Sequence, residues 1–184
     1  MPVFLSQTTI ATVKATIPAL ETHGVTITQQ MYDRIFEDPA IRALFDKPLH
    51  DVTRSQPVAL ANAIVAYAKN IDNLGALAIA VQRIAQKHLR ASVVPAHYQV
   101  VAEALIQSIK EVLGDAATPE IITAWGEAYW FLADILIDRE KALYAERAAA
   151  SGDSPAMPSP SASNSAGRVP TASPSYTPSA ATSG

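Results

Sequence analysis

The chain has 184 residues, a net charge of −3, 13 prolines, 7 glycines and no cysteine. The lack of thiols excludes disulfides, zinc–thiolate and iron–sulfur centres and a cysteine nucleophile, so a metal would have to be held by histidine, carboxylate or tyrosine. The acidic balance supplies no basic footprint for nucleic acid. No uncharged apolar run reaches the roughly 18 residues of a membrane span, and the opening MPVFLSQTTI has neither the basic start nor the apolar stretch of a secretory signal, so a cytoplasmic protein is expected.

In chain order, the first expected helix begins near Ser6, a good N-cap. It carries Ile10, Val13, Ile17 and Leu20 at helical spacing, bends at Pro18 and stops before Gly24. A second spans about 25–36 and sets Val25, Tyr32, Ile35 and Phe36 on one face. Asp38–Pro39 reads as an N-cap followed by proline in the first turn, opening a short helix that ends near Phe45. Residues 46–54 (DKPLHDVTR) read as a loop. A fourth helix starts around Ser55 and Pro57 with the stripe Leu60, Ala63, Ile64, Tyr67 and Ile71. A fifth, after Asn73, aligns Leu77, Val81, Ile84 and His88. A sixth opens at Pro95 and carries Tyr98, Val101, Leu105, Ile109 and Val112 before Gly114. Thr118–Pro119–Glu120 starts a long last helix that reaches roughly Arg147. Strict alternation of apolar and polar residues is absent, as are Asn-Gly and Asp-Gly turns, so the fold class is all-α.

Residues 151–184 differ from the rest. Ser, Pro, Ala, Gly and Thr fill 28 of these 34 positions, and only Asp153 and Arg168 are charged. Such a segment cannot bury enough surface to offset the entropy of ordering it. The expected organisation is therefore one domain over 1–150 and a disordered Ser/Pro/Ala-rich tail over 151–184.

Function is sought among polar residues that interrupt the apolar stripes, because a polar group facing a core costs roughly a few kcal/mol without a partner. His88 shares a face with Val81 and Ile84. On spacing alone, the commoner role for such a histidine is a core residue bonded to a carbonyl. Glu140 lies on the face formed by Ile122, Trp125, Tyr129, Ala133 and Leu136. Near the end of the last helix it meets the negative pole of the dipole, which a buried histidine N–H would compensate. Tyr32, Tyr98 and Gln56 complete the set, and each taken alone reads as structural. His23, His50 and His97 are expected at the surface.

The runs IATVKATIPAL, HGVTI, MYDRIF, the LFD at Phe45, the Gln56–Pro57 pair, NIDNL, IAQKH, AHY, LGDAAT, AWGEAY and DREKALYAE occur in this order. Across 5–147 the chain resembles the bacterial haemoglobins, that is, the haem-binding domain of flavohaemoglobins and their single-domain relatives. The resemblance implies a globin fold with helices packed around one haem b. It implies His88 as the proximal iron ligand, with Tyr98 and Glu140 forming a network behind it. On the distal side it implies Tyr32 as the hydroxyl donor, Gln56 and Leu60 at the mouth of the pocket, and Phe45 packed on the haem plane. Tyr129–Trp130 departs from the family, where glycine usually follows this tyrosine. Trp130 would then lie on the surface, where a homodimer contact is one role for it, or crowd the proximal pocket.

Two functions follow from the resemblance. One is conversion of nitric oxide plus dioxygen to nitrate, using electrons from a separate flavin/NADH reductase, since 34 low-complexity residues are too few for a reductase domain and no Gly-rich dinucleotide motif is present. The alternative is reversible dioxygen binding and delivery without turnover.

Overall fold

A computed structural model describes residues 4–45 and 49–151, with side chains from 49 to 54 excepted. Among the described residues the chain forms α1 (Gln7–Ala15), α2 (Ile17–Ile35), α3 (Pro39–Arg42), α4 (Leu49–Lys69), α5 (Ala78–Arg90), α6 (Pro95–Leu113) and α7 (Pro119–Ala150), with 3-10 turns at Leu74–Leu77 and Gly114–Ala116. No strand occurs among these residues, in agreement with the all-α expectation. Beyond Ser151 the expected tail lies outside the described residues.

Three N-termini are capped as their sequences require. Ser6 Oγ accepts from Thr9 N at 3.0 Å, Asp38 Oδ1 from Ala40 N at 2.8 Å, and Thr118 Oγ1 from Ile121 N at 3.4 Å. Proline follows directly in the second and third cases, where its missing N–H costs nothing.

Several boundaries differ from the sequence reading. The expected first helix is two, with the break at Thr16 and not at Gly24. Pro18 occupies the first turn of α2, so the interruption falls upstream of it, and Thr16 closes the corner by donating from Oγ1 to Val13 O at 2.6 Å. Gly24 lies inside α2, against Ala61 of α4. Val25 points outward, 47% exposed, leaving Leu20, Gly24, Ile27, Thr28, Met31, Tyr32 and Ile35 as the buried face. Residues 49–54 are the first turns of α4 and not loop, so Pro57 sits in the helix interior; 46–48 lie outside the described residues. After Asn73 comes a 3-10 turn, and α5 begins only at Ala78.

Two apolar clusters hold the helices. The larger packs α1, α2, α4, α6 and α7 around Val13, Ile27, Met31, Tyr67, Ala68, Ile109 and Trp125. Fully burying side chains of this size contributes about 1.5–3 kcal/mol each. Two polar groups within it bond across helices: Trp125 Nε1 donates to Thr16 Oγ1 at 3.1 Å, and Tyr67 OH to Ala128 O at 2.8 Å. These bonds tie α7 to the α1–α2 corner and to α4. The smaller cluster joins α5, α6 and α7 through Ala85, Tyr98, Ala133, Leu136 and Leu143, with Val81, Ile84 and Leu89 against it. Helix α5 thus packs on α7 and on the preceding 3-10 turn, not broadly on α2 or α4. This division separates the turn of α5 that carries His88 from the turns of α2 and α4 that carry Tyr32 and Gln56.

Candidate functional site

His88 is brought to its place by the stripe Val81–Ile84–His88 of α5, which leans on α7. Its Nδ1 lies 2.7 Å from Glu140 Oε1 and 3.0 Å from Tyr98 OH. Tyr98 OH donates to the same Glu140 oxygen at 2.6 Å. An ionised carboxylate only accepts hydrogen bonds, so two donors must converge on Oε1. One is the tyrosine O–H and the other is the Nδ1–H of the imidazole. In the neutral ring this places the lone pair on Nε2, for which no hydrogen-bond partner exists among the described residues.

Burial sharpens the arrangement. Glu140 has 5% of its side chain exposed, whereas His88 has 31%. The acceptor is thus enclosed and one edge of the imidazole is open. A buried carboxylate needs strong donors, and a charge-assisted pair of bonds supplies them. Burial, followed by the hydrogen bond and charge of Glu140, pushes the Tyr98 hydroxyl far above the usual tyrosine range. Tyr98 therefore keeps its proton and remains a donor.

The supports of this triad lie on α7. Tyr129 OH donates to Tyr98 O at 2.7 Å, and Arg139 Nε to Gln82 Oε1 at 2.5 Å. These two bonds fix α6 and α5 to the helix that carries Glu140. Neither was legible in the sequence, because a side chain reaching a carbonyl or an amide on another helix leaves no spacing signal. Helix α7 runs on to Ala150, so Glu140 stands clear of the C-terminal turn. The expected clash with the helix dipole is thereby removed, since that effect falls off within the last turn.

On the other side, Tyr32 is 8% exposed. Its ring contacts Phe36 at 5.4 Å and Phe45 at 6.0 Å, and Phe36 and Phe45 meet edge-on at 5.0 Å. Phe36 was foreseen only as a face residue; it completes an aromatic cluster that orients Tyr32. The Tyr32 hydroxyl has no hydrogen-bond partner among the described residues, and burial raises its pKa to about 12. Gln56 and Leu60 are half-buried, one turn apart on α4. The structure therefore groups His88, Tyr98 and Glu140 by direct bonds, groups Tyr32 with Phe45 by ring contact, and leaves Gln56 and Leu60 on a third element.

The remaining histidines are unlike one another. His23 is exposed as expected. His97 is half-buried, and its Nδ1 accepts from Val94 N at 3.2 Å at the start of α6. His50 falls among the side chains outside the described set. Trp130 is 38% exposed, and its ring meets that of Tyr129 edge-on. A small apolar cavity lined by Leu20, Gly24, Ile27, Ala61, Ile64 and Trp125, among others, lies behind the α2–α4 crossing and touches none of these site residues.

A profile of the globin family matches residues 29–136, more than half the chain. The chain belongs to the globin family. Over 140 residues this globin is 54% identical to a flavohemoprotein of Xylella fastidiosa, covering 76% of this chain and 35% of that one. It thus spans about a third of the length of that curated relative. Among solved structures it resembles an engineered carbene transferase derived from a Rhodothermus marinus protein assigned as a nitric oxide dioxygenase. The identity is 43% and the TM-score 0.73, over 78% of this chain and 99% of that one. It also resembles a flavohemoglobin of Malassezia yamatoensis solved with bound FAD and haem, at 32% identity and a TM-score of 0.70, over 78% of this chain and 38% of that one. No helix among the described residues is long and apolar enough to cross a membrane.

Proposed function

We propose that this globin binds haem b through His88 Nε2 and catalyses nitric oxide + dioxygen + one electron → nitrate. The observation that carries this reading is the His88–Glu140–Tyr98 triad, which commits Nδ1 as a donor and leaves Nε2 without a hydrogen-bond partner among the described residues. The residues present fit the group. They offer an imidazole with an open edge, an aromatic cluster of Tyr32, Phe36 and Phe45, and a Tyr32 hydroxyl that has no hydrogen-bond partner among the described residues. When bound, haem supplies an iron centre that takes up dioxygen and cycles between ferrous and ferric states.

The roles of the chain follow from its chemistry. Glu140 holds the proton on Nδ1, fixes the ring plane and, as an anion, raises the donor strength of Nε2. Tyr98 holds Glu140 in place and shares its charge. Tyr32 keeps its hydroxyl proton throughout the physiological range and offers it to negative charge developing on oxygen. Phe45 and Leu60 provide apolar surface, and Gln56 a second polar group on that side. The strong donor behind and the hydroxyl in front both favour oxygen activation over simple carriage. The electron is assigned to a separate NADH-dependent flavin reductase.

The test is nitrate formation by purified holoprotein supplied with NADH and a flavin reductase under limiting nitric oxide. Nitrate should form catalytically and far faster than with free haem. Stable oxygen binding with nitrate no faster than free haem would instead support the oxygen-binding alternative.

A further inference from the structure

The crossing of α2 and α4 carries a bond whose chemistry the proposed roles leave unused. Thr28 is fully buried, 0% exposed, at the centre of this contact. Its Oγ1 lies 2.7 Å from Pro57 O on α4, against 3.0 Å and 3.1 Å from Gly24 O and Val25 O of its own helix. A threonine hydroxyl in mid-helix ordinarily donates back to the preceding turn. It has one proton, and the shortest contact here crosses to the neighbouring helix. The acceptor is unusual too. Pro57 is buried inside α4, where proline is rare and locally loosens the helix. One turn earlier, Gly24 faces Ala61 across the crossing, where a Cβ would sit in ordinary contact, 3.5 Å from Ala61 Cβ.

The neighbours of these two residues give the bond its meaning. Tyr32 lies one turn after Thr28 on α2, and the chain position before Pro57 is Gln56. A single buried hydrogen bond thus links the turn that carries Tyr32 to the turn that carries Gln56. Elsewhere the buried part of the crossing is apolar, with Leu20, Ile27, Ala61 and Ile64, and the ion pair between Glu21 of α2 and Lys69 of α4 at 2.7 Å is exposed. Apolar contact fixes the distance between helices but tolerates sliding along them, whereas a hydrogen bond to one carbonyl fixes the register. We propose that Thr28 is a positioning residue: its hydroxyl, bonded to Pro57 O, sets the placement of Tyr32 relative to Gln56 and so tunes how tightly the site holds dioxygen. This rests on the distal role assigned above to Tyr32.

The experiment uses haem-loaded full-length protein and reads two quantities: the oxygen dissociation rate and the C–O stretching band of the carbon monoxide complex. Thr28→Val is nearly isosteric and removes the hydroxyl. It should speed oxygen release about two- to tenfold, the range to which the net worth of one hydrogen bond corresponds. The C–O band should move toward that of Tyr32→Phe. Thr28→Ser, which keeps the hydroxyl, should stay within about twofold of wild type. Added to Tyr32→Phe, the Thr28→Val change should have no further effect, because its influence passes through Tyr32; a loss of packing alone would add to it. If Thr28→Val does not fold, Thr28→Ser against Thr28→Ala reads the same bond, since both lack the methyl group. Wild-type oxygen release and an unmoved band in the Val and Ala variants, with Tyr32→Phe accelerated, would overturn the Thr28 inference alone. Unchanged release in Tyr32→Phe would instead remove Tyr32 from the distal role and the positioning claim with it.

Discussion

At the scale of single residues, four tyrosines behave as acids held in their neutral form. Burial raises Tyr32 to about 12 and moves Tyr67, Tyr98 and Tyr129 in the same direction, with Glu140 adding to the shift at Tyr98. The unfolded chain would ionise each near 10. A group whose folded pKa is raised contributes stability that is complete below the unfolded value and is lost as pH rises toward the folded one. Stability should therefore hold up to about pH 10 and then fall across pH 10–12. NMR of Cζ-labelled tyrosine should show these four ionising together with the loss of helical circular dichroism. Ionisation of any of them near pH 10 in a still-helical protein would contradict the burial account. The same scale shows what could be read from residues alone. His88 and Glu140 stood out because each is a polar group on an otherwise apolar stripe, and their meeting at 2.7 Å accords with that reading. Thr28 and Tyr129 did not stand out. Threonine is unremarkable in a helix, and a tyrosine hydroxyl seeking a carbonyl has no spacing rule.

Helix boundaries show a different limit. Prolines in first turns and side-chain caps located α3, α6 and α7 correctly, since a cap is a local device. The continuation of α2 through Gly24 and the early start of α4 were missed for a shared reason. In both cases tertiary packing overrode a local breaker: Gly24 is accommodated because it faces Ala61, and Pro57 because its helix is buried against α2. Where a breaker does act, its effect should be measurable. Gly114 ends α6 at φ +54°, ψ −127°, a conformation that side chains rarely adopt, and a Cβ there would meet nothing within 4 Å. The cost of Gly114→Ala should thus be backbone strain alone, about 1–3 kcal/mol. A urea midpoint equal to wild type would show that the turn relaxes at no cost.

For the molecule as a whole, the division of the core into two clusters organises function. The larger cluster positions Tyr32, Phe45 and Leu60; the smaller one positions His88, Tyr98 and Glu140. Helix α7 belongs to both: Trp125 and Ala128 bond it to the elements of the larger cluster, and Tyr129 and Arg139 bond it to α6 and α5 of the smaller one. The central claim is that His88 binds haem iron through Nε2 while Glu140 holds its Nδ1 proton. Resonance Raman spectroscopy of the ferrous holoprotein reads both halves of this claim through the iron–histidine stretching mode. The mode should be present in the wild type and lost in His88→Ala. It should fall in frequency in Glu140→Gln, whose haem affinity should also weaken about 10–100-fold. A wild-type protein without the mode, or one whose mode is unmoved by Glu140→Gln, would contradict it.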